Sequence, residues 1–127
     1  MSKLKPPTLP MYVVIYACVL ALFGTYLGIS GLINPSGATG FIDGAEVLAT
    51  GWAGRSLGLG LIMASAIYFR MSKIYVAAFI GAVCRELSDV LGMLNAGETS
   101  TVMALLVFLV LDLVGLVMSI RAVQMEE

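Results

Sequence analysis

Val83–Gly92 reads VCRELSDVLG, and this stretch decides how the rest of the chain is interpreted. It places the charged side chains of Arg85, Glu86 and Asp89 inside a long apolar segment. A charge at the centre of a membrane helix costs roughly 2.5–3.5 kcal/mol on insertion scales. These side chains therefore need partners, and we expect the partners on the neighbouring apolar segments.

The composition indicates a membrane protein. The chain has 127 residues, of which 60% are hydrophobic and 12% are charged, and its mean hydropathy is +1.01. A soluble domain usually carries about 25% charged residues, so we expect membrane lipid around this chain. The net charge of −1 argues against nucleic acid as a partner, because phosphate binding needs a basic surface.

The absence of histidine narrows the possible chemistry. Without it the chain has no Ser-His-Asp triad, no His-ligated haem and no His-containing zinc site. Its two cysteines, Cys18 and Cys84, are far apart and lack metal-ligand spacing, so we interpret them as small packing residues. We expect no metal and no cofactor, and we assign no catalytic residue.

Four apolar segments predict four membrane-spanning helices, at about residues 11–33, 47–69, 74–94 and 101–123. Each exceeds the ~20 residues needed to cross a hydrocarbon core of about 30 Å. The first segment lacks a signal-peptide pattern, so we interpret it as a retained helix. The composition does not change along the chain in a way that would indicate a second domain. The sequence predicts an all-α integral membrane four-helix bundle, a single transmembrane domain over residues 1–127.

The distribution of basic residues predicts the orientation. If the amino terminus lies inside, the inner segments hold Lys and Arg and the two outer loops hold none. The positive-inside rule requires this asymmetry. We therefore expect both termini in the cytoplasm and a multi-pass protein of the cell inner membrane. The inner basic residues are Lys3, Lys5, Arg70, Lys73 and Arg121.

Stripes of small residues predict close helix packing, because they let the backbone of another helix approach. We expect the stripe on the first helix to pack within the bundle, with a Gly24/Gly28 homodimer as the alternative. That stripe is Ala17, Ala21, Gly24, Gly28 and Gly31. The second helix has a similar face with Arg55 within it, formed by Gly51, Gly54, Gly58 and Ser65.

Helical rise predicts which polar side chains share a depth. At 1.5 Å per residue, Arg85 and Asp112 both lie about 15 Å below the outer surface. Asp89 and Arg55 lie about 9 to 12 Å below it. We expect an Arg85–Asp112 pair and an Arg55–Asp89 pair above it, since the guanidinium fork satisfies carboxylates without losing its proton.

Three further residues complete the predicted network. Tyr26 and Ser88 fall in the same layer and are expected to add hydrogen bonds. Glu86 points about 100° away from Arg85 and is the expected unpaired carboxylate. Away from the inner ends, the helices hold the two arginines Arg55 and Arg85 against three carboxylates. An unpaired carboxylate in a low dielectric favours its neutral form, which suits proton exchange, general acid chemistry or cation binding. Snorkelling of Glu86 toward the outer surface, or its binding to a partner chain, is the alternative.

Three features of the sequence occur together: the small face at Gly54, Arg55, Gly58 and Gly60, the basic turn at Arg70, and the Arg85–Asp89 spacing. Together they resemble the DoxX-like group of small bacterial four-helix membrane proteins, and within it families of unknown function. The resemblance covers the first three helices and implies a four-helix bundle without an assigned activity. Some DoxX-named proteins are linked to quinone-coupled sulfur oxidation or oxidative-stress complexes, and no residue here carries that chemistry over.

Several functions suit such a polar interior. The leading hypothesis is a non-catalytic protein whose outer-half network binds an amphipathic small molecule, lipid-like or quinone-like. Proton or small-ion transport through a homo-oligomer is one alternative, and a membrane-embedded isomerase or hydrolase is another. Purely structural charge pairing also remains open. The candidate site residues are Arg55, Arg85, Glu86, Asp89, Asp112, Tyr26 and Ser88.

Overall fold

A computed structural model describes residues 9–34, 46–95, 97, 99 and 102–127, without the side chains of residues 46–49. Four helices make up the described part of the chain, and the all-α prediction is confirmed. They are α1 (Met11–Ile33), α2 (Glu46–Phe69), α3 (Ser72–Asn95) and α4 (Val102–Glu126). Lys3, Lys5 and most of the first outer loop lie outside the described residues.

Two helix ends differ from the prediction for local reasons. Arg70 has a φ of 54°, a left-handed conformation that commonly terminates a helix. The turn therefore needs few residues, and α3 begins at Ser72. At the other end of the chain, α4 continues through residues 124–126, because Gln, Met and Glu are good helix formers.

Successive helices run antiparallel. α1 packs mainly on α2, α3 packs mainly on α4, and α2 also contacts α3. The apolar core lies toward the start of α1, where aromatic side chains of α3 meet small residues of α1 and α2. Its buried members are Val13, Ala17, Ala21, Met63, Ala66, Tyr75, Ala78 and Phe79.

The small stripe of α1 forms a tight seam with α2, and its members are all buried. A Cβ added at Gly28 would lie 2.5 Å from the Cβ of Leu57. A Cβ added at Gly60 would lie 2.6 Å from the backbone nitrogen of Thr25. Only glycine permits this approach, so the predicted packing of the α1 stripe within the chain is confirmed. In this molecule α2 occupies the Gly24/Gly28 face.

The small face of α2 makes no close contact with another helix. A Cβ added at Gly51, Gly54 or Gly58 would meet no atom of the described structure within 4 Å, and Arg55 on this side is exposed. The face that α2 buries is nearly opposite by the 3.6-residue period. It holds Ala53, Ser56, Met63 and Ala66. The second stripe is therefore a surface feature and not part of the core.

α1 and α4 are long and apolar enough to cross a membrane. Large apolar side chains are also exposed along every helix, among them Leu22, Leu61, Leu91 and Met103. Monomeric soluble proteins rarely expose contiguous apolar patches larger than a few hundred Å². The outer surface of the four helices thus differs from that of an ordinary soluble domain.

Candidate functional site

A cavity of about 340 Å³ lies among the four helices, and we call it the central cavity. Its charged wall comes from α3 and consists of Arg85, Glu86 and Asp89. The remaining walls are mostly apolar and come from the other three helices. They include Leu20, Phe23, Leu27, Trp52, Leu105 and Phe108. A mostly apolar cavity with a few clustered polar groups is typical of small-molecule sites, which range over about 300–1,000 Å³.

The helical period of α3 explains why its wall is charged. The buried stripe of α3 recurs at spacings of three and four: Ser72, Tyr75, Phe79, Ala82, Glu86 and Val90. Glu86 continues the row that carries the core aromatics, so its side chain points inward and the residue as a whole is 4% exposed. The alternative in which Glu86 snorkels toward the outer surface is therefore wrong. This stripe was readable in the sequence and would have placed Glu86 in the interior.

Arg85 pairs with its neighbour Glu86. The Nη2 of Arg85 donates to the Oε1 of Glu86 at 2.5 Å, and the two side chains are 18% and 6% exposed. The predicted Arg85–Asp112 pair is wrong, as is the unpaired state predicted for Glu86. Successive helix residues point about 100° apart. The Arg85 side chain is long enough to reach across this angle to the buried carboxylate of Glu86. The other oxygen of Glu86, Oε2, has no hydrogen-bond partner among the described residues.

Tyr16 of α1 binds the carboxylate that was expected to pair with Arg85. Its hydroxyl donates to Oδ1 of Asp112 at 2.6 Å, and its ring stacks on Phe79 with centroids 6.2 Å apart. Asp112 is fully buried, and within the described structure its Oδ2 has no hydrogen-bond partner. Asp112 also interacts electrostatically with Glu86 and Arg85, so the two carboxylates belong to one cluster.

Tyr16 was missed and Tyr26 was wrongly included for the same reason. Depth along α1 places Tyr26 in the layer of the predicted network, but the angle around α1 decides which tyrosine faces inward. Tyr26 lies opposite the buried small stripe and is 69% exposed, whereas Tyr16 lies beside that stripe and is partly buried. A helical-wheel comparison with Gly24 and Ala17 would have separated the two tyrosines.

The other predicted contacts are absent from the described structure. Asp89 is half-buried and interacts electrostatically with Arg85 and Arg55. Arg55 and Asp89 both belong to the described residues, and they form no ion pair with each other. Asp89 lines the central cavity and Arg55 does not. Ser88 is exposed, and its hydroxyl donates to the carbonyl of Cys84 at 2.8 Å, a local bond that serine makes readily in helices.

Arg55 lines a different space from the central cavity. An open groove of about 370 Å³ runs between α2 and α3, and both Arg55 and Arg85 contribute to it. Small residues leave it open, namely Gly58, Gly81, Cys84 and Ser88. Arg85 thus lines both spaces, while Glu86 and Asp89 line only the central cavity.

Comparison with known proteins supplies no relative for this site. No family model, no curated protein and no solved structure matches the chain. Among the described residues, His, Cys, Asp and Glu form no group of three that could hold a metal ion.

Proposed function

We propose that this chain is a multi-pass four-helix bundle of the cell inner membrane and that its central cavity binds an amphipathic small molecule, lipid-like or quinone-like. Both termini face the cytoplasm in this proposal. The observation that carries the ligand site is the central cavity itself, with one charged wall and otherwise mostly apolar walls.

Exposed apolar side chains and the position of basic residues support the membrane part. Each helix exposes large apolar residues, which lipid would cover. Arg70 and Lys73 flank the turn between α2 and α3, and Arg121 lies near the end of α4. Because successive helices are antiparallel, these residues share one end of the molecule with the start of α1. Basic residues at that end favour a cytoplasmic location.

The lining of the central cavity supports an amphipathic ligand. An apolar chain would replace water against Phe23, Leu27 and Phe108, which is favourable because it removes apolar surface from water. The headgroup would then meet the charged wall formed by α3. Arg55 is outside this cavity and has no part in the proposed contact.

Trp52 provides a direct test, since it is the single tryptophan of the chain and lines the cavity. The purified protein in micelles is titrated with undecanol that carries a terminal bromine, which quenches indole fluorescence at short range. We expect saturable quenching of Trp52, while a lipophilic tryptophan ester dissolved in the same micelles shows only the non-saturable effect.

A matched pair of variants separates the cavity from the surrounding micelle. Leu105→Phe adds volume to a residue that lines the cavity, and we expect it to abolish the saturable component. Leu106→Phe makes the same change at an exposed neighbour and should keep the saturable component. Equal, non-saturable quenching in both variants and the wild type would contradict the proposal.

The resemblance to DoxX-like proteins stays a prediction from the sequence. The ligand site is inferred from the central cavity alone, and it does not require the quinone-linked chemistry of any DoxX-named protein.

A further inference from the structure

We propose that the central cavity selects an amphiphile with a positively charged, hydrogen-bond-donating headgroup, an alkylammonium in its simplest form, and that Glu86 accepts the hydrogen bond. This inference rests on the proposed function, because it names the headgroup class of the amphiphile that the cavity takes.

The first observation is an unused acceptor. Glu86 lines the central cavity and is 4% exposed. Its Oε1 receives the Arg85 guanidinium, but its Oε2 has no hydrogen-bond partner in the described part of the chain. Buried carboxylate oxygens are normally hydrogen-bonded, and leaving one without a donor is unfavourable. This oxygen is itself buried, so the carboxylate must rotate to present it to the cavity. A headgroup that donates a hydrogen bond would then satisfy it, whereas a carboxylate headgroup offers no donor.

The second observation is the charge of the wall. Arg85 contributes one positive charge, and Glu86 and Asp89 contribute two negative charges, so the wall carries one negative charge when all three are ionised. The buried Asp112 interacts electrostatically with Glu86 and is a further carboxylate of the same cluster. An ammonium headgroup complements this wall. A carboxylate headgroup would compete with Glu86 for Arg85 and add a further buried negative charge.

The size and lining of the cavity point to a single-chain amphiphile. About 340 Å³ lies near the lower end of the range for small-molecule sites. The rings of Phe23, Trp52 and Phe108 contribute to the lining, and aromatic faces attract cations. The cavity therefore combines an acceptor, a net negative wall and aromatic surface.

Three probes with the same chain test the headgroup. Undecylamine, undecanol and undecanoate, each with a terminal bromine, are titrated at neutral pH, with Trp52 quenching as the readout. Each concentration is corrected for partition into micelles by the tryptophan ester control. We expect affinity to fall from amine to alcohol to carboxylate. The amine should bind about tenfold or more tightly than the carboxylate, as a charge-assisted hydrogen bond implies.

Variants on and beside the wall assign the effect to Glu86. Glu86→Gln should weaken amine binding about tenfold while changing alcohol binding by roughly twofold at most. Asp89→Asn should weaken amine binding by a smaller factor, and it supplies the test if Glu86→Gln does not fold. Ser88→Ala changes an exposed hydroxyl that bonds its own helix and should keep the wild-type order.

The outcomes separate this inference from the proposed function. Saturable quenching with equal affinity for all three probes, or tightest binding of the carboxylate, would overturn the headgroup assignment and leave the amphiphile site intact. An amine preference that survives both Glu86→Gln and Asp89→Asn would overturn the role of the wall. No saturable quenching by any probe would contradict the proposed function itself.

Discussion

One half of the molecule is closed and the other is open. In the closed half, around the core of Val13, Met63 and Phe79, aromatic rings of α3 fill the space between helices and are almost completely buried. In the open half, around Trp52, Glu86 and Phe108, the same helices leave the central cavity. The two halves differ chiefly in what α3 places on its buried stripe.

The buried stripe of α3 changes character along its length. In the closed half it carries Tyr75 and Phe79, and the ring of Phe79 lies directly against Gly115 of α4. In the open half it carries Ala82 and then Glu86, which fill less space and bring a charge. The α1–α2 seam stays tight beside the cavity, where a Cβ added at Gly24 would lie 2.9 Å from the carbonyl oxygen of Ser56. The cavity therefore results from a local change in α3 and not from loose packing of all four helices.

The largest expected effect comes from removing the cation of the open half. Arg85→Ala would leave Glu86 buried without its partner, and we expect a loss of about 3 kcal/mol in the free energy of unfolding. Arg55→Ala removes an exposed guanidinium and should change stability by about 0.5 kcal/mol or less. Denaturant or thermal unfolding in one detergent measures both. Equal losses of stability for the two variants would contradict the claim that Arg85 is needed to neutralise the buried Glu86.

The next effect compares glycines on opposite faces of α2. Gly60→Ala pushes a Cβ against backbone atoms of α1, which cannot move aside as a side chain can, and we expect a loss of about 2 kcal/mol. Gly54→Ala meets open space and should be neutral or stabilise the helix by up to about 1 kcal/mol. The same unfolding measurement reports both, and destabilisation by Gly54→Ala alone would contradict the assigned faces.

The smallest effect concerns the boundary between the two halves. Tyr16→Phe keeps the ring on Phe79 but removes the hydroxyl that donates to Asp112, and we expect a loss of about 1 kcal/mol. Tyr26→Phe removes an exposed hydroxyl and should have no measurable effect. A double-mutant cycle between Tyr16→Phe and Asp112→Asn should show coupling of at least about 0.5 kcal/mol. Additive effects of the two substitutions would argue against the bond.

The fold was largely predictable from the sequence, and the pairing of charges was not. Apolar runs placed the helices, because helix length and burial depend on averages over many residues. Glycine spacing likewise indicated the α1 stripe. The partner of Arg85 depends instead on angle around the helix and on side-chain reach, so a count of depth selected Asp112 where the structure has Glu86.

The α2 stripe shows a second limit of sequence reasoning. Gly51, Gly54 and Gly58 recur at spacings of three and four residues, as the α1 glycines do, yet they lie on the surface. Small residues permit close approach but do not specify which helix approaches. α2 instead packs through its opposite face, where Ala53 and Met63 are buried, and this leaves its glycine stripe on the surface.

The most direct test is a nuclear Overhauser measurement between undecylamine and the protein in perdeuterated detergent. Gly24 and Ser56 are buried and line the central cavity, whereas Ala17 and Ala66 are buried in the closed half. We predict intermolecular contacts from the amphiphile chain to Gly24 and Ser56 and none to Ala17 or Ala66. Contacts confined to outward-facing residues such as Leu22 would contradict a ligand site inside the open half.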